Sequence, residues 1–227
     1  FERTIASAFR YSFGESNAKT SYECHSGKAG MKTIFTGLGP NVTGRDVQTA
    51  LAFFLPWRWR QWREGSAQKE AADWLCSFFG IPHVFLCDSG RSALVLALYA
   101  LGIKKGDEVA VQAYTCMVVI NAIVRAGGRP LYIDVDEQQN MSPSQLEKKI
   151  KPNVKAMIIQ HTFGIPAQID SLLALAKKHH IKTIEDCAHA VESRFKDKPL
   201  GSFGAFGIFS FSKFSFCQAL GGVAYSD

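Results

Sequence analysis

Residues Thr183-Ile184-Glu185-Asp186-Cys187-Ala188-His189 decide how this chain is read. Thr183 to Glu185 has the pattern of a short apolar strand, and Asp186 follows where the chain is expected to turn into something helical. An acid at the carboxyl end of a buried parallel strand stands where α/β folds place their ligands. Two other segments hold the same position relative to a strand. They are Asp88-Ser89-Gly90-Arg91-Ser92-Ala93-Leu94 upstream and Phe209-Ser210-Phe211-Ser212-Lys213 downstream. In chain order the three offer an anion cradle, a carboxylate and a lysine.

Outward from this stretch, strands alternate with helices. Strands are predicted at His83 to Cys87, Glu108 to Gln112, Pro130 to Asp134, Lys155 to Gln160 and Thr183 to Glu185. Helices are predicted at Arg91 to Leu101, Met117 to Ala126, Pro143 to Ile150 and Ile169 to His180. Phe206 to Phe209 and Gly222 to Tyr225 add further strands. Alternation of this kind means βαβ units and a mainly parallel sheet flanked by helices, an α/β fold. Upstream, Ala71, Ala72, Leu75, Phe78 and Phe79 recur at helical spacing and predict an amphipathic helix from Ala67 to Phe79.

The chain has 227 residues, enough for one large core, with 47% hydrophobic and 20% charged residues. Its longest apolar candidate, Ala110 to Val124, is interrupted by Gln112, Thr115 and Asn121, so no membrane span is expected. A net charge of +6 suits a phosphate-bearing substrate, and equally an ordinary, modestly basic protein. The six cysteines form no C-x-x-C pair, so neither a zinc site nor a disulfide framework is expected. Asn41-Val42-Thr43 and Asn140-Met141-Ser142 match glycosylation acceptors by a pattern short enough to arise by chance, and a reducing cytoplasm fits the cysteines better. Residue 1 is Phe, and Gly221 to Asp227 reads as a strand that leads onward, so the chain is expected to be a fragment.

Each candidate site residue has a chemical and a plain reading. Ser89, Gly90 and Ser92 open a helix after a strand, where backbone amides meet a phosphate at the positive end of the helix dipole. Arg91 would add a charge-assisted bond. The plain reading is an N-cap in which Ser89 or Ser92 satisfies free amides. Asp186 would pair with a protonated ring nitrogen, or simply cap the next turn. Lys213 lies between Phe209-Ser210-Phe211 and Phe214-Ser215-Phe216, and an apolar setting lowers an amine pKa enough for it to attack an aldehyde. Its plain reading is a solvated surface lysine. An anion cradle, a carboxylate and a lysine are together what holds pyridoxal phosphate (PLP).

From about Gly37 to Asp227 the chain resembles the DegT/DnrJ/StrS family of PLP-dependent sugar aminotransferases, of aspartate-aminotransferase fold type I. The matching pieces begin with Asp88 to Leu94, Gly106-Asp107-Glu108-Val109, Tyr114-Thr115 and Asn121-Ala122-Ile123. They continue through Tyr132-Ile133-Asp134-Val135-Asp136 and His161-Thr162-Phe163-Gly164-Ile165-Pro166-Ala167. The series closes with Ile184 to Ala190, Phe209-Ser210-Phe211 and Gly221-Gly222. The resemblance implies the large domain of that fold, a mainly parallel seven-stranded sheet over residues 33–227. Residues 1–32 stay unassigned, and the resemblance implies that the small C-terminal domain of the fold is expected outside the chain. It also implies amino transfer, usually from glutamate, to a keto group of a nucleotide-linked sugar, in a homodimer whose partner subunit completes each site. Ser89, Gly90, Arg91 and Ser210 would then hold the phosphate and Asp186 the ring nitrogen. His189 would sit at the ring hydroxyl or phosphate, and Lys213 would carry the imine.

The chain departs from the family pattern in three places. Cys116 stands where an aromatic residue usually stacks on the cofactor ring, and Arg91 stands where many members have Thr. The usual lysine position, four residues after the second Phe of Phe-Ser-Phe, holds Ser215, whereas Lys213 lies two residues after Phe211. A two-residue contraction restores Lys213 to the role; without it the chain would be a PLP-binding homologue lacking its imine lysine. A dehydratase of the same fold would carry His at that lysine, and neither 213 nor 215 is His. Trp57-Arg58-Trp59-Arg60-Gln61-Trp62-Arg63 interleaves aromatics with arginines, but one short cluster is not a nucleic-acid fold, and a helix start with packed Trp rings accounts for it.

Overall fold

Apolar residues on consecutive positions of a strand are buried only where both faces of the sheet are covered. Val109, Ala110 and Val111 are all at most 1% exposed, so the sheet of this protein is covered on both sides. The structure, a computed structural model, describes residues 44–56, 66–191, 193–210 and 221–225. The chain divides into two compact units, residues 1–71 and 72–227. In the first, a helix not expected from the sequence, α1 (Gly44–Ala52), leaves Val47 and Leu51 exposed. The boundary expected at residue 32 and the Trp57–Arg63 cluster lie outside the described residues.

Helix α2 (Ser66–Phe79) follows. Then come β1 (His83–Cys87), α3 (Gly90–Ala100), β2 (Glu108–Gln112), α4 (Met117–Arg125) and β3 (Arg129–Ile133). The alternation continues with α5 (Pro143–Lys149), β4 (Val154–Gln160), α6 (Ile169–Lys178) and β5 (Lys182–Asp186). A short hairpin, β6 (Arg194–Phe195) and β7 (Lys198–Pro199), precedes β8 (Phe206–Ser210) and β9 (Gly221–Tyr225). The predicted elements are all present, with ends displaced by one or two residues. One expectation is corrected: after Asp186 the chain does not become helical. The Asp186 carboxylate accepts the Ala188 amide at 3.1 Å, the Ala190 amide closes on the Cys187 carbonyl, and the β6–β7 hairpin takes over.

Seven strands form one sheet in the order β1-β9-β8-β5-β4-β2-β3. The pairs β2–β3, β2–β4, β4–β5 and β5–β8 are parallel, and β9 runs antiparallel to both β8 and β1. The fold is therefore the expected α/β sheet, mainly parallel, with one reversed strand. On one face Val109, Val111, Ala156, Ile158 and Ile184 pack against Ala93, Leu94 and Leu98 of α3 and Ile123 of α4. On the other, Ala110, Met157 and Ile159 pack against Leu146 of α5 and Leu172 and Ala176 of α6. Burial of each large aliphatic side chain contributes about 1.5–3 kcal/mol. Truncating Ile158, fully buried between these layers, to Ala would cost about 2–5 kcal/mol.

Helix α3 stops where it does because Gly102 turns left-handed, at φ +76°. Its amide bonds to Tyr99 and the Ile103 amide reaches back to Leu98, closing the last turn. A third apolar cluster joins Leu75 and Phe79 of α2 to Ile169, Cys187, Leu200 and Phe209, and the Phe79 and Phe209 rings stack 4.2 Å apart.

Candidate active site

After β2 the chain passes to β3 on one side and returns to β4 on the other, so the sheet has a switch point between β2 and β4. Crevices outside the carboxyl ends of strands at such points bind ligands in open α/β sheets. A cleft of about 1020 Å³ lies there. It is lined by Asp88 to Ser92 after β1, Tyr114 to Cys116 after β2, and Gln160, Thr162 and Phe163 at the end of β4. Asp186, Ala188 and His189 line it at the end of β5, and Ile208 and Ser210 at the end of β8.

The strand register explains why these segments meet. Gly221 of β9 pairs with Cys87 on one side and Ser210 on the other, so the ends of β1 and β8 come level. A Cβ built on Gly90 would then lie 3.3 Å from the Ser210 Cβ and 3.4 Å from its Oγ. Ser89 is the N-cap of the 11-residue α3: its Oγ accepts the Ser92 amide at 3.2 Å and lies 3.1 Å from the Ser92 hydroxyl. The plain reading of Ser89 is thus realised. The first turn still leaves the Gly90 and Arg91 amides without an intrahelical acceptor, at the positive end of the helix. Arg91 is exposed at the same mouth. Two serine hydroxyls, unbonded first-turn amides and a guanidinium beside a glycine with no Cβ form a cradle suited to a phosphate group.

Asp186 is the last residue of β5, paired with Gln160 and with Ile208. It is half-buried, and one carboxylate oxygen caps the Ala188 turn. Its neighbour Glu185, on the opposite face, is fully buried. Glu185 Oε1 accepts the Phe203 and Gly204 amides at 2.7 and 2.6 Å, and Oε2 accepts the Gly201 amide at 2.9 Å and His161 Nε2 at 3.1 Å. His161 Nδ1 accepts the Ala167 amide, so the ring proton sits on Nε2 and the imidazole is neutral. A buried carboxylate with four donors is satisfied as an anion. It pins the 201–204 loop, and hence the entry into β8, to the strand that carries Asp186.

His161, Glu185 and Cys187 bring three metal-ligand atoms within 4.8 Å of one another. Both His161 nitrogens and both Glu185 oxygens are already engaged, so the trio is a hydrogen-bonded structural cluster. Burial, then the Glu185 and Asp186 carboxylates, push the Cys187 thiol well above its ordinary value. It stays protonated, as an inert core residue.

A second polar network sets the floor of the cleft. Thr115 Oγ1 donates to Gln160 Oε1 at 2.6 Å, and Gln160 Nε2 donates to Thr162 Oγ1 at 3.2 Å. The Thr162 amide bonds to Asn140 Oδ1, and Asn140 Nδ2 to the Ile165 carbonyl. Asn140 is fully buried, so its acceptor pattern is structural; Asn41 lies outside the described residues. Cys116, at the N-cap of α4, is exposed to the cleft.

The structure thus gathers Ser89, Gly90, Arg91, Asp186, His189 and Ser210 around one cleft, while Lys213 lies outside the described residues. The composition of the sequence did not single out Glu185 or Gln160 as supports. The available signal was Glu185 itself, a charge inside an apolar strand, which is buried only when paired.

The model of the DegT/DnrJ/EryC1/StrS aminotransferase family matches residues 56–223. A UDP-N-acetyl-3-dehydro-alpha-D-glucosamine 3-aminotransferase of Acidithiobacillus ferrooxidans is 41% identical over 133 residues, 58% of this chain and 36% of that protein. GDP-perosamine synthase of Escherichia coli O157:H7 is 43% identical over 124 residues, 54% of this chain and 34% of that protein. An aminotransferase of Psychrobacter cryohalolentis superposes with a TM-score of 0.75 at 28% identity, over 83% of this chain and 48% of that one. A sugar aminotransferase of Streptococcus pneumoniae, in a PLP form, gives 0.68 at 27% identity, over 72% and 46%. The chain spans about a third of the length of the curated relatives it matches.

Proposed function

Because the chain belongs to the DegT/DnrJ/EryC1/StrS aminotransferase family, we propose that it is part of a PLP-dependent transaminase. The reaction is transfer of an amino group from an amino acid, glutamate, to a keto group of a nucleotide-linked sugar. The observation that carries this reading is the cleft itself. Ser89, Gly90, Arg91 and Ser210 line the same cleft as the strand-end carboxylate of Asp186, which supports a phosphate cradle at one wall and a ring-nitrogen partner at another. The names of the relatives support the substrate class: both act on, or make, nucleotide-linked amino sugars.

PLP, when bound, supplies an electron sink for the pair left on a carbon that has lost its proton. The residues do the rest. The α3 amides, Arg91 and the two serines would hold the phosphate, and Asp186 would keep a proton on the ring nitrogen. His189 would border the ring. Lys213 would hold the aldehyde carbon; once released, its amine would carry the proton from the α-carbon of the amino donor to that carbon. Residues 33–227 are read as the cofactor-binding large domain of a cytoplasmic enzyme.

The assembly is a homodimer with shared active sites. Leu96 and Tyr99 on α3 and Val124 on α4 are each more than half exposed, and they support a second copy covering that face. The complete protein should show a visible absorption band of bound PLP that borohydride abolishes. The band should persist in Ser215→Ala and be lost in Lys213→Ala. A Lys213→Ala protein that keeps the band would exclude Lys213 from the site, and a wild type without PLP binding would sink the whole reading.

A further inference from the structure

Phe163 combines three properties that are seldom found together. Its backbone is left-handed, at φ 53° and ψ 26°. Its side chain is 66% exposed, and it lines the cleft. A bulky residue in that conformation is a steric outlier, and strain of this kind persists only where the surroundings over-determine it. They do so here from both sides. Before it, Thr162 is held by Asn140 Oδ1 at 2.9 Å and by the Gln139 carbonyl at 2.9 Å. After it, a Cβ on Gly164 would lie 3.2 Å from the His189 carbonyl and 3.0 Å from Ser193 Oγ, so the chain presses directly on the turn beyond Asp186. The Gly164 amide closes on the His161 carbonyl, and the Ile165 amide on Thr162.

Burial does not repay the strain, since the ring is mostly exposed. What the conformation achieves is a contact: the Phe163 ring lies parallel to the His189 imidazole, with centroids 5.9 Å apart and planes 5° from coplanar. We propose that Phe163 is a positioning residue whose ring fixes the plane of His189 at the cofactor. The left-handed backbone is the means of bringing that ring parallel to the imidazole, in an offset stack. The parallel ring restricts the tilt of the imidazole, which lines the same cleft as Asp186. This inference rests on the reading that the cleft holds PLP.

The test uses the complete protein, PLP titrated into the cofactor-free form, and visible circular dichroism of the bound cofactor. Phe163→Leu and Phe163→Asn should each weaken PLP binding by about three- to tenfold, the range expected of an aromatic pair, and reduce the dichroic band. Phe163→Tyr should restore both. Asn tolerates the left-handed region, so Phe163→Asn should also melt at a higher temperature than wild type while binding worse. Leu and Asn variants that bind PLP with wild-type affinity and dichroism would overturn the proposal. So would a Phe163→Asn protein that loses stability and binding together, since Phe163 would then be ordinary packing. Absence of PLP binding by the wild type would instead overturn the functional reading on which this rests.

Discussion

A Cβ on Gly90 would stand 3.3 Å from the Cβ of Ser210, although the two residues belong to opposite ends of the described sheet sequence. Both flank the position of Gly221, whose strand pairs with β1 through Cys87 and with β8 through Ser210. The reversed strand β9 is therefore what brings the helix cap and the serine to one anion.

Gly90→Ala tests that relationship. The added methyl must push Ser210 or the first turn of α3 aside, and one hydrogen bond to a charged group is worth about 1.5–3 kcal/mol. PLP affinity of the complete protein should fall about tenfold or more, with little change in melting temperature. An unchanged affinity would remove Gly90 and Ser210 from the phosphate site.

Glu185→Gln should destabilise the fold by about 2–4 kcal/mol in urea unfolding, because an amide group cannot accept four bonds and its NH₂ must face a donor. Gly201, Phe203, Gly204 and His161 all donate to this carboxylate. Hydrogen exchange at the 201–204 amides should accelerate in the variant. A fold as stable as wild type would mean that the buried charge contributes nothing.

Gly207→Ala should be harmful for a different reason. A Cβ there would overlap the Gly201 carbonyl, where the 201–204 loop crosses β8. Overpacking of this sort costs about 1–3 kcal/mol, so the urea midpoint should fall while m stays constant. A midpoint at the wild-type value would show that the loop can move away freely.

Cys116 and Cys187 should react oppositely. Cys116 is exposed and should be alkylated by iodoacetamide under native conditions, whereas Cys187, buried and held protonated, should be alkylated only on unfolding. Since its folded pKa lies above the ordinary value near 9.0, the stability this thiol contributes is present below that pH and lost as pH rises beyond it. Cys187→Ala should therefore flatten the alkaline loss of stability. Rapid native labelling of Cys187 would contradict the buried, neutral thiol.

Sequence alone determined the alternation of strands and helices, because period-two and period-3.6 patterns follow from local geometry and the need to bury one face. It also placed Asp186, Ser89 and Ser210 at strand ends, since strand ends are marked by local changes from apolar to polar residues. Local pattern cannot report which strand lies beside which: the resemblance alone set Gly90 and Ser210 at one phosphate, and the order β1-β9-β8 supplies the physical reason for their approach. Glu185 shows the same limit: its four partners come from the segments 161 and 201–204, and a charge in a strand does not name its donors in advance. Phe163 was visible only as part of a motif; its left-handed backbone and its stack on His189 arise because distant hydrogen bonds hold Thr162 while Gly164 packs on the next loop. Local pattern sets the elements, and long-range packing sets the site, because the free energy that holds each site residue comes from partners the chain reaches only when folded.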